Sequence, residues 1–127
     1  MTTILLVEDE VLLREGVQET LEMFGYTVIG AGDGLEALEW LEQTPISLII
    51  TDLVMPKMNG VAFIEQVRIK YPRLPIIVAS GSTESVTSRL GIDTIHVPGA
   101  TACITKPFKS QDLMDLVAQV ITDDVAQ

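Results

Sequence analysis

The sequence predicts an α/β fold, a doubly wound five-stranded parallel sheet flanked by helices. Short apolar runs rich in Ile, Val and Thr alternate along the chain with segments of helical periodicity, a pattern typical of buried parallel strands. Gly and Pro residues mark the boundaries between these segments. A chain of 127 residues suits one domain, so residues 1–127 are expected to form a single unit.

The individual elements follow from the same pattern. Five strands are predicted, at residues 4–7, 27–31, 47–51, 76–79 and 102–105. Helices are predicted where apolar side chains recur at helical spacing: Leu13, Val17, Leu21 and Phe24; Leu35, Leu38 and Leu41; Val61, Ile64, Val67 and Tyr71; and Leu113, Leu116, Val117, Val120 and Ile121. Gly25 is expected to end the first helix, with Asp33 and Ser110 as N-caps of the second and the last.

The stretch from Ser82 to Pro98 departs from this regularity. Thr, Ser and Val are indifferent helix formers, and Gly91 would end any helix that began before it. An irregular or shortened fourth helix, followed by an irregular or extended segment, is therefore expected here.

Composition narrows the classes of function. The chain has 8 basic and 18 acidic residues, a net charge of −10, which disfavours direct nucleic-acid binding and suits a metal ion or a basic partner surface. Hydrophobic residues make up 47% and the mean hydropathy is +0.37, as in a globular protein. No apolar stretch has the length of a membrane span, so no membrane insertion is expected. A single cysteine, Cys103, favours a reducing, cytoplasmic location.

Charged residues follow three of the predicted strands. Glu8 and Asp9 follow the first, Asp52 follows the third, and Lys106 follows the fifth. Because the carboxyl ends of parallel strands meet at one edge of the sheet, these side chains are expected to converge. Carboxylate oxygens with a nearby lysine suit Mg²⁺ and a phosphoryl group, whereas zinc would favour His or Cys ligands, which are missing nearby in the sequence.

Each of these residues also has a simpler interpretation. Glu8, Asp9 and Glu10 could begin a helix, where acids suit the helix dipole, and Asp52 could stabilise a turn. Lys106 alone would usually be a solvated loop residue. All of these readings together require several coincidences, so a phosphoacceptor site is favoured.

Four ordered motifs resemble the receiver domain of two-component response regulators. They are Leu-Leu-Val-Glu8-Asp9-Glu10, Thr-Asp52-Leu-Val-Met-Pro-Lys-Met-Asn-Gly60, Ala-Ser80-Gly81 and Thr-Lys106-Pro107-Phe108. The resemblance covers essentially the whole chain. It implies a flavodoxin-like fold and a switch rather than an enzyme, with no output domain on this chain.

The resemblance also implies roles for the matching residues. Asp52 would be the phosphoacceptor, charged by a histidine kinase or a phosphotransfer protein. Mg²⁺ would be held by Glu8, Asp9, Asp52 and the backbone carbonyl of Val54. The hydroxyl of Ser80 and the ammonium of Lys106 would bind the phosphoryl group, and Gly81 would leave room for it.

Two departures from the family pattern concern the output of the switch. Cys103 stands where receivers usually carry Tyr or Phe, and Lys106 follows Ser80 by 26 positions, a longer interval than usual. We hypothesise that the phosphorylation chemistry is retained while the output face is rebuilt. A downstream protein partner would then dock on the stretch from Ser82 to Cys103 and on the last helix.

Three other functions remain open. The chain could be a phosphorylation-independent, receiver-like interaction module, which Cys103 and the long stretch after Ser80 favour. It could be an aspartyl phosphohydrolase, although such enzymes usually carry an acid where this chain has Val54. A flavin-binding protein is least favoured, because the three acids from Glu8 to Glu10 would repel a phosphate without a metal.

Overall fold

Five strands and four helices make up the part of the chain that the structure describes. A computed structural model of the chain describes residues 2–53, 57–80, 99–106 and 108–126, apart from the side chains of Ser80 and of 123–126. The strands are β1 (Thr3–Val7), β2 (Thr27–Ala31), β3 (Leu48–Thr51), β4 (Ile76–Ser80) and β5 (Ala102–Thr105). The helices within the described residues are α1 (Val11–Met23), α2 (Gly34–Gln43), α3 (Gly60–Lys70) and α4 (Ser110–Ala126).

The strands form one parallel sheet in the order β2-β1-β3-β4-β5. From β1 the chain winds first to one side, to β2, and then to the other side through β3, β4 and β5. In such a sheet the crevice for a ligand lies where the winding reverses, outside the carboxyl ends of β1 and β3. The predicted fold class is confirmed, whereas the fourth helix predicted after Ser82 lies outside the described residues.

Helices cover both faces of the sheet. This explains why the strand sequences are apolar runs rather than alternating apolar and polar residues. Successive side chains of a strand point to opposite faces. One face packs against α2 and α3 through residues that include Leu5, Val7, Ile49, Val78, Phe63 and Val67. The other packs against α1 and α4 through residues that include Ile4, Leu6, Ile50, Leu21, Leu113 and Val117. Burial of each large apolar side chain contributes about 1.5–3 kcal/mol.

Most of the helix positions predicted to face inward do so, with a few differences at helix ends. Phe24 is 55% exposed because α1 ends at Met23 and Phe24 is its C-cap. Gly25 follows at φ +94°, the conformation expected of a glycine that ends a helix. Leu35 is 46% exposed, in the first turn of α2.

The start of α4 also differs from the prediction by one residue. Ser110 is the first helical residue rather than the N-cap, because the carbonyl of Lys109 already accepts a hydrogen bond from the amide of Leu113 at 3.2 Å. Within the described residues, none of the helices is both long enough and apolar enough to cross a membrane.

At the opposite edge from the crevice, the Arg68 side chain fastens the turn before β5 to the end of α3. Its Nε and Nη2 atoms donate to the Gly99 carbonyl at 2.9 and 2.6 Å. Its Nη1 atom donates to the carbonyls of Leu74 at 2.6 Å and Tyr71 at 3.1 Å. This Arg68 clasp joins three chain segments through one guanidinium group.

Backbone contacts reinforce the clasp. The amide of Thr101 donates to the Ile76 carbonyl at 2.8 Å, and the amide of Ile76 donates to the Thr101 hydroxyl at 3.0 Å. Gly99 has φ +86°, and a Cβ there would lie 2.8 Å from the side chain of Ile64. The entry to β5 is therefore fixed by close packing as well as by hydrogen bonds.

Candidate functional site

Three of the predicted site residues meet at the carboxyl edge of the sheet. Glu8 follows β1 and Asp52 follows β3, its neighbour in the sheet, while Lys106 follows β5. β4 lies between β3 and β5 in the sheet, and the Lys106 Nζ atom donates to Glu8 Oε1 at 2.5 Å and to Asp52 Oδ2 at 2.9 Å. One ammonium group thus bridges two carboxylates that are 44 positions apart in the sequence.

Glu8 is buried, with 6% of its surface exposed, and its polar groups have partners. Its amide donates to the Ala31 carbonyl at 3.0 Å, which continues the pairing of β1 with β2. Its backbone carbonyl accepts from Arg14 Nη1 at 2.6 Å. Its second carboxylate oxygen, Oε2, accepts from the Glu10 amide at 3.2 Å. Both the backbone and the carboxylate of Glu8 are therefore held in place.

Asp52 is positioned in a similar way at the end of β3. Its amide donates to the Val7 carbonyl at 3.3 Å, and its Oδ1 atom accepts from the Leu53 amide at 2.7 Å. Oδ2 is the oxygen that binds Lys106. The side chain is 13% exposed, so the carboxylate is oriented by the protein and still borders solvent.

A glycine at the start of α3 permits the tight turn of the backbone after Asp52. The amide of Gly60 donates to the Leu53 carbonyl at 2.7 Å. A Cβ at position 60 would lie 2.4 Å from the Asp52 carbonyl oxygen and 2.6 Å from the Leu53 Cα. Because both are backbone atoms with little freedom to move, no other residue fits without a shift next to Asp52.

Burial and charge act in opposite directions on the pKa values of Glu8 and Lys106. Burial raises the pKa of the Glu8 carboxyl above its ordinary value, and the hydrogen bonds from Lys106 and the Glu10 amide offset part of that rise. Burial by itself would lower the pKa of Lys106. Its hydrogen bonds to Glu8 and Asp52 outweigh this, so the pKa of Lys106 is raised and the ammonium form is favoured.

The acidic residues offer a set of ligands that fits Mg²⁺. Carboxylate oxygens of Glu8, Asp9 and Asp52 lie within 4.8 Å of one another, with Glu8 buried, Asp52 half-buried and Asp9 exposed. The set contains oxygen atoms alone, which Mg²⁺ prefers, and the exposed side leaves room for the water ligands that Mg²⁺ keeps. The residues present therefore fit this ion.

The other predicted site residues are described less fully. Ser80 ends β4, and its backbone lies opposite Thr105 in the sheet register, but its side chain lies outside the described atoms, as do Val54, Gly81 and Pro107. Cys103 lies in the middle of β5 and is exposed.

The sequence interpretation missed the roles of three residues next to the site, Arg14, Asn59 and Gly60. Arg14 follows the acidic run by one helical turn, a weak signal because cations are common on solvated helix faces. The Asn59-Gly60 pair is typical of a turn in the sequence. Asn59 in fact caps α3, since its side chain accepts from the Ala62 amide at 2.9 Å, and the role of Gly60 depends on contacts that sequence does not show.

Comparison with known proteins gives a consistent result. The family model described as the response regulator receiver domain matches residues 4–118. The chain is 31% identical over 121 residues to the transcriptional regulatory protein CpxR homolog of Haemophilus influenzae, an alignment that covers 95% of this chain and 51% of that protein. This chain thus spans about half the length of that relative.

Solved structures agree with the fold. A response regulator receiver domain protein from Clostridium thermocellum superposes with a TM-score of 0.85 at 25% identity, covering 99% of this chain and 98% of that one. The chemotaxis response regulator CheY4 of Vibrio cholerae has a TM-score of 0.80 at 34% identity, covering 94% and 98% of the two chains.

Proposed function

This chain belongs to the response regulator receiver domain family of two-component signalling, and from that premise we propose that it is a Mg²⁺-dependent phosphoacceptor switch. Asp52 accepts the phosphoryl group from a histidine kinase or a phosphotransfer protein. The observation that carries the proposal is the Lys106 ammonium bound to both Glu8 and Asp52, beside the carboxylate of Asp9.

The proposed step is an in-line transfer to the Asp52 carboxylate. A carboxylate oxygen forms a bond to phosphorus while the bond from phosphorus to the donor nitrogen or oxygen breaks, and the leaving group keeps that electron pair. The product is an acyl phosphate on Asp52. Because the carboxylate and the phosphoryl group are both anionic, positioning and charge stabilisation are the main requirements.

The residues around Asp52 meet these requirements. The Leu53 amide holds one carboxylate oxygen at 2.7 Å and so fixes the orientation of the nucleophile. Mg²⁺ bound by Glu8, Asp9, Asp52 and the Val54 carbonyl would neutralise charge on the phosphoryl oxygens. Lys106 is placed to exchange one of its carboxylate partners for a phosphoryl oxygen. In this proposal the Ser80 hydroxyl donates a hydrogen bond to the phosphoryl group, and Gly81 leaves room for that group.

The output belongs to the same proposal. An acyl phosphate adds about −1 to −2 charges at the end of β3, and this is expected to shift Ser80 and the residues after it. A downstream protein partner would read the shift on the stretch from Ser82 to Cys103 and on α4. Cys103 is exposed on β5, where its small thiol takes the position of an aromatic switch residue. The chain would act as a switch rather than an enzyme, in a reducing cytoplasm.

The first experiment combines the protein with Mg²⁺ and acetyl phosphate and follows intact mass. Wild-type protein is expected to gain one phosphoryl group in a Mg²⁺-dependent manner, and Asp52→Asn is expected to gain none. Asp33→Asn is a matched control, because it removes a carboxylate at the same edge of the sheet while Asn still caps α2.

A parallel measurement of amide NMR shifts with beryllofluoride tests the switch. Shifts in α4 and β5 that are lost in Asp52→Asn would support it. If wild-type protein binds Mg²⁺ but gains no phosphoryl group from acetyl phosphate or from a phosphorylated histidine donor, the proposal is wrong, and a phosphorylation-independent interaction module becomes the better description.

A further inference from the structure

We propose that Arg14 is a positioning residue for Glu8, and through Glu8 for the carboxylates that bind Mg²⁺; this inference rests on the proposed function. Arg14 lies in the first turn of α1, and its Nη1 atom donates to the backbone carbonyl of Glu8 at 2.6 Å. A hydrogen bond from a guanidinium group is charge-assisted and stronger than one between neutral groups. It ties the end of β1 to α1 at the residue that carries the buried ligand.

Two glycines leave the path of the Arg14 side chain open. A Cβ at Gly30 would lie 3.2 Å from Arg14 Cδ and 3.4 Å from Nε. At Gly32, a Cβ would lie 3.5 Å from Arg14 Nη1. The side chain therefore runs along the end of β2, so close to Gly30 that a Cβ there would press on it, and at ordinary contact distance from a Cβ at Gly32.

The bond from Arg14 differs from the two contacts described above for the Glu8 carboxylate. Lys106 and the Glu10 amide bind the carboxylate, which is the group that a metal ion would also use. Arg14 binds the backbone carbonyl, so its hold on Glu8 does not compete with metal binding. Contacts that orient a ligand residue in this way commonly change metal affinity by about 10–100-fold when they are removed.

Positioning and simple electrostatics predict opposite signs for the loss of Arg14. A positive charge near a cation site repels the ion, so charge removal alone would tighten Mg²⁺ binding. Loss of a positioning contact would weaken it, because Glu8 would no longer be held in place by the bond to its carbonyl. The direction of the change in Mg²⁺ affinity therefore separates the two explanations.

The experiment compares Arg14→Met with Gln18→Met by Mg²⁺ titration, followed through the amide NMR shifts of Glu8, Asp9 and Glu10. Gln18 is a matched control: it lies one turn further along α1, and its side chain donates to the Val28 carbonyl at 3.4 Å, away from the site. Arg14→Met is expected to bind Mg²⁺ about tenfold more weakly, with Gln18→Met unchanged. Gly30→Ala, whose Cβ would crowd Arg14 Cδ at 3.2 Å and Gln18 Oε1 at 3.3 Å without removing either side chain, is expected to fall between wild type and Arg14→Met, since Gln18→Met shows what a change at Gln18 contributes.

Several outcomes would overturn the inference. Unchanged or tighter Mg²⁺ binding by Arg14→Met would do so, as would equal weakening in Arg14→Met and Gln18→Met, which would reflect a general loosening of α1. If Arg14→Met does not fold, the comparison of Gly30→Ala with Gln18→Met decides in the same way.

A metal-free measurement separates this inference from the proposed function. If wild-type protein does not bind Mg²⁺, the proposed function fails, and the Glu10 amide, which donates to Glu8 Oε2, then reports on Glu8 alone. A shift of that amide in metal-free Arg14→Met, but not in Gln18→Met, would still support positioning of Glu8. No shift in either variant would overturn it.

Discussion

At the scale of single residues, Asp33 couples a helix cap to a loop. Its Oδ1 atom accepts from the Glu36 amide at 2.9 Å, which makes it the N-cap of α2 as predicted. The Nζ atom of Lys57, a residue in the loop after β3, lies 3.5 Å from Asp33 Oδ2. The hydrogen bond from the Glu36 amide, together with the charge of Lys57, lowers the pKa of the Asp33 carboxyl.

Replacement of Asp33 by Ala is expected to lower the free energy of unfolding at neutral pH by about 1 kcal/mol, because a cap is lost. A lowered folded-state pKa means that the ionised carboxylate stabilises the fold above the unfolded pKa, and that this stabilisation is lost as pH falls through the folded pKa. Urea unfolding from pH 7 to pH 3 should therefore show the difference shrinking below about pH 4.

Asp33→Asn serves as the control for that measurement. Asn caps helices nearly as well as Asp but carries no charge, so the stability difference between Asp33→Asn and Asp33→Ala should not change with pH. A difference between wild type and Asp33→Ala that stays constant down to pH 3 would contradict the role of the charge.

Residue identity predicted the acids and the lysine but not how they are held. The convergence of Glu8, Asp52 and Lys106 could be predicted because each is a charged residue that directly follows a predicted strand. The contact of Arg14 with the Glu8 carbonyl could not, because it depends on how α1 packs over Gly30 and Gly32. Such contacts are set by the packing of whole elements.

At the scale of elements, two glycines in helices have opposite surroundings. Gly60 begins α3 in contact with the backbone of Asp52 and Leu53, where there is no space for a Cβ. Gly16 lies inside α1, and a Cβ there would meet nothing within 4 Å. The same substitution should therefore have opposite effects at the two positions.

Gly60→Ala is expected to lower the free energy of unfolding by about 1–3 kcal/mol, because the added methyl group forces a backbone shift. Gly16→Ala is expected to raise it by about 0.5–1 kcal/mol, because Ala is the better helix former at an open position. Urea unfolding of both variants checks this.

Phosphorylation rates extend the comparison to the site. The shift forced by Gly60→Ala falls on Asp52, the proposed phosphoacceptor, so the rate with acetyl phosphate should drop, while Gly16→Ala should keep the wild-type rate. Equal stabilities and equal rates for the two variants would show that the loop adapts without cost.

Elements were predicted well where a pattern repeats and less well at their ends. Five strands were found from short apolar runs, since both faces of the sheet are buried. Phe24 was predicted on the inward face of the first helix but is its exposed C-cap, and Ser110 was predicted as the N-cap of the last helix but is its first helical residue. Both differences arise because helix ends depend on local hydrogen bonds. The buried Phe63 and Met114 were missed because each lies directly beside a residue of the predicted apolar stripe, Ile64 and Leu113 respectively, rather than in the stripe itself.

At the scale of the whole molecule, metal binding and folding should be linked. The proposed Mg²⁺ ligands Glu8, Asp9 and Asp52 follow two different strands, β1 and β3, so the folded chain brings them together and the unfolded chain does not. Each tenfold increase of free Mg²⁺ above its Kd should therefore raise the free energy of unfolding by about 1.4 kcal/mol.

Trp40, which packs half-buried against the core, offers a fluorescence signal for that measurement. The comparison must hold ionic strength constant with KCl, because a chain of net charge −10 is also stabilised by screening. Asp52→Asn and Asp9→Asn should each show a smaller response to Mg²⁺. A response that KCl reproduces in full would argue against a specific site.

The fold as a whole was the most predictable feature, because alternating strands and helices leave few arrangements other than a doubly wound parallel sheet. The strand order then placed Glu8 and Asp52 side by side. What sequence could not supply is the network at the opposite edge, since Arg68 meets Gly99 across 31 positions.

That Arg68 clasp has a mechanical consequence for the lysine at the other end of the same strand. β5 is only four residues long, with Thr101 bonded to Ile76 just before it and Lys106 directly after it. The clasp fixes the start of β5, and the short strand leads directly to the residue that carries the ammonium group. We therefore expect the backbone at Lys106 to move little. The position of the ammonium group should change through the conformation of the Lys106 side chain rather than through a shift of the strand.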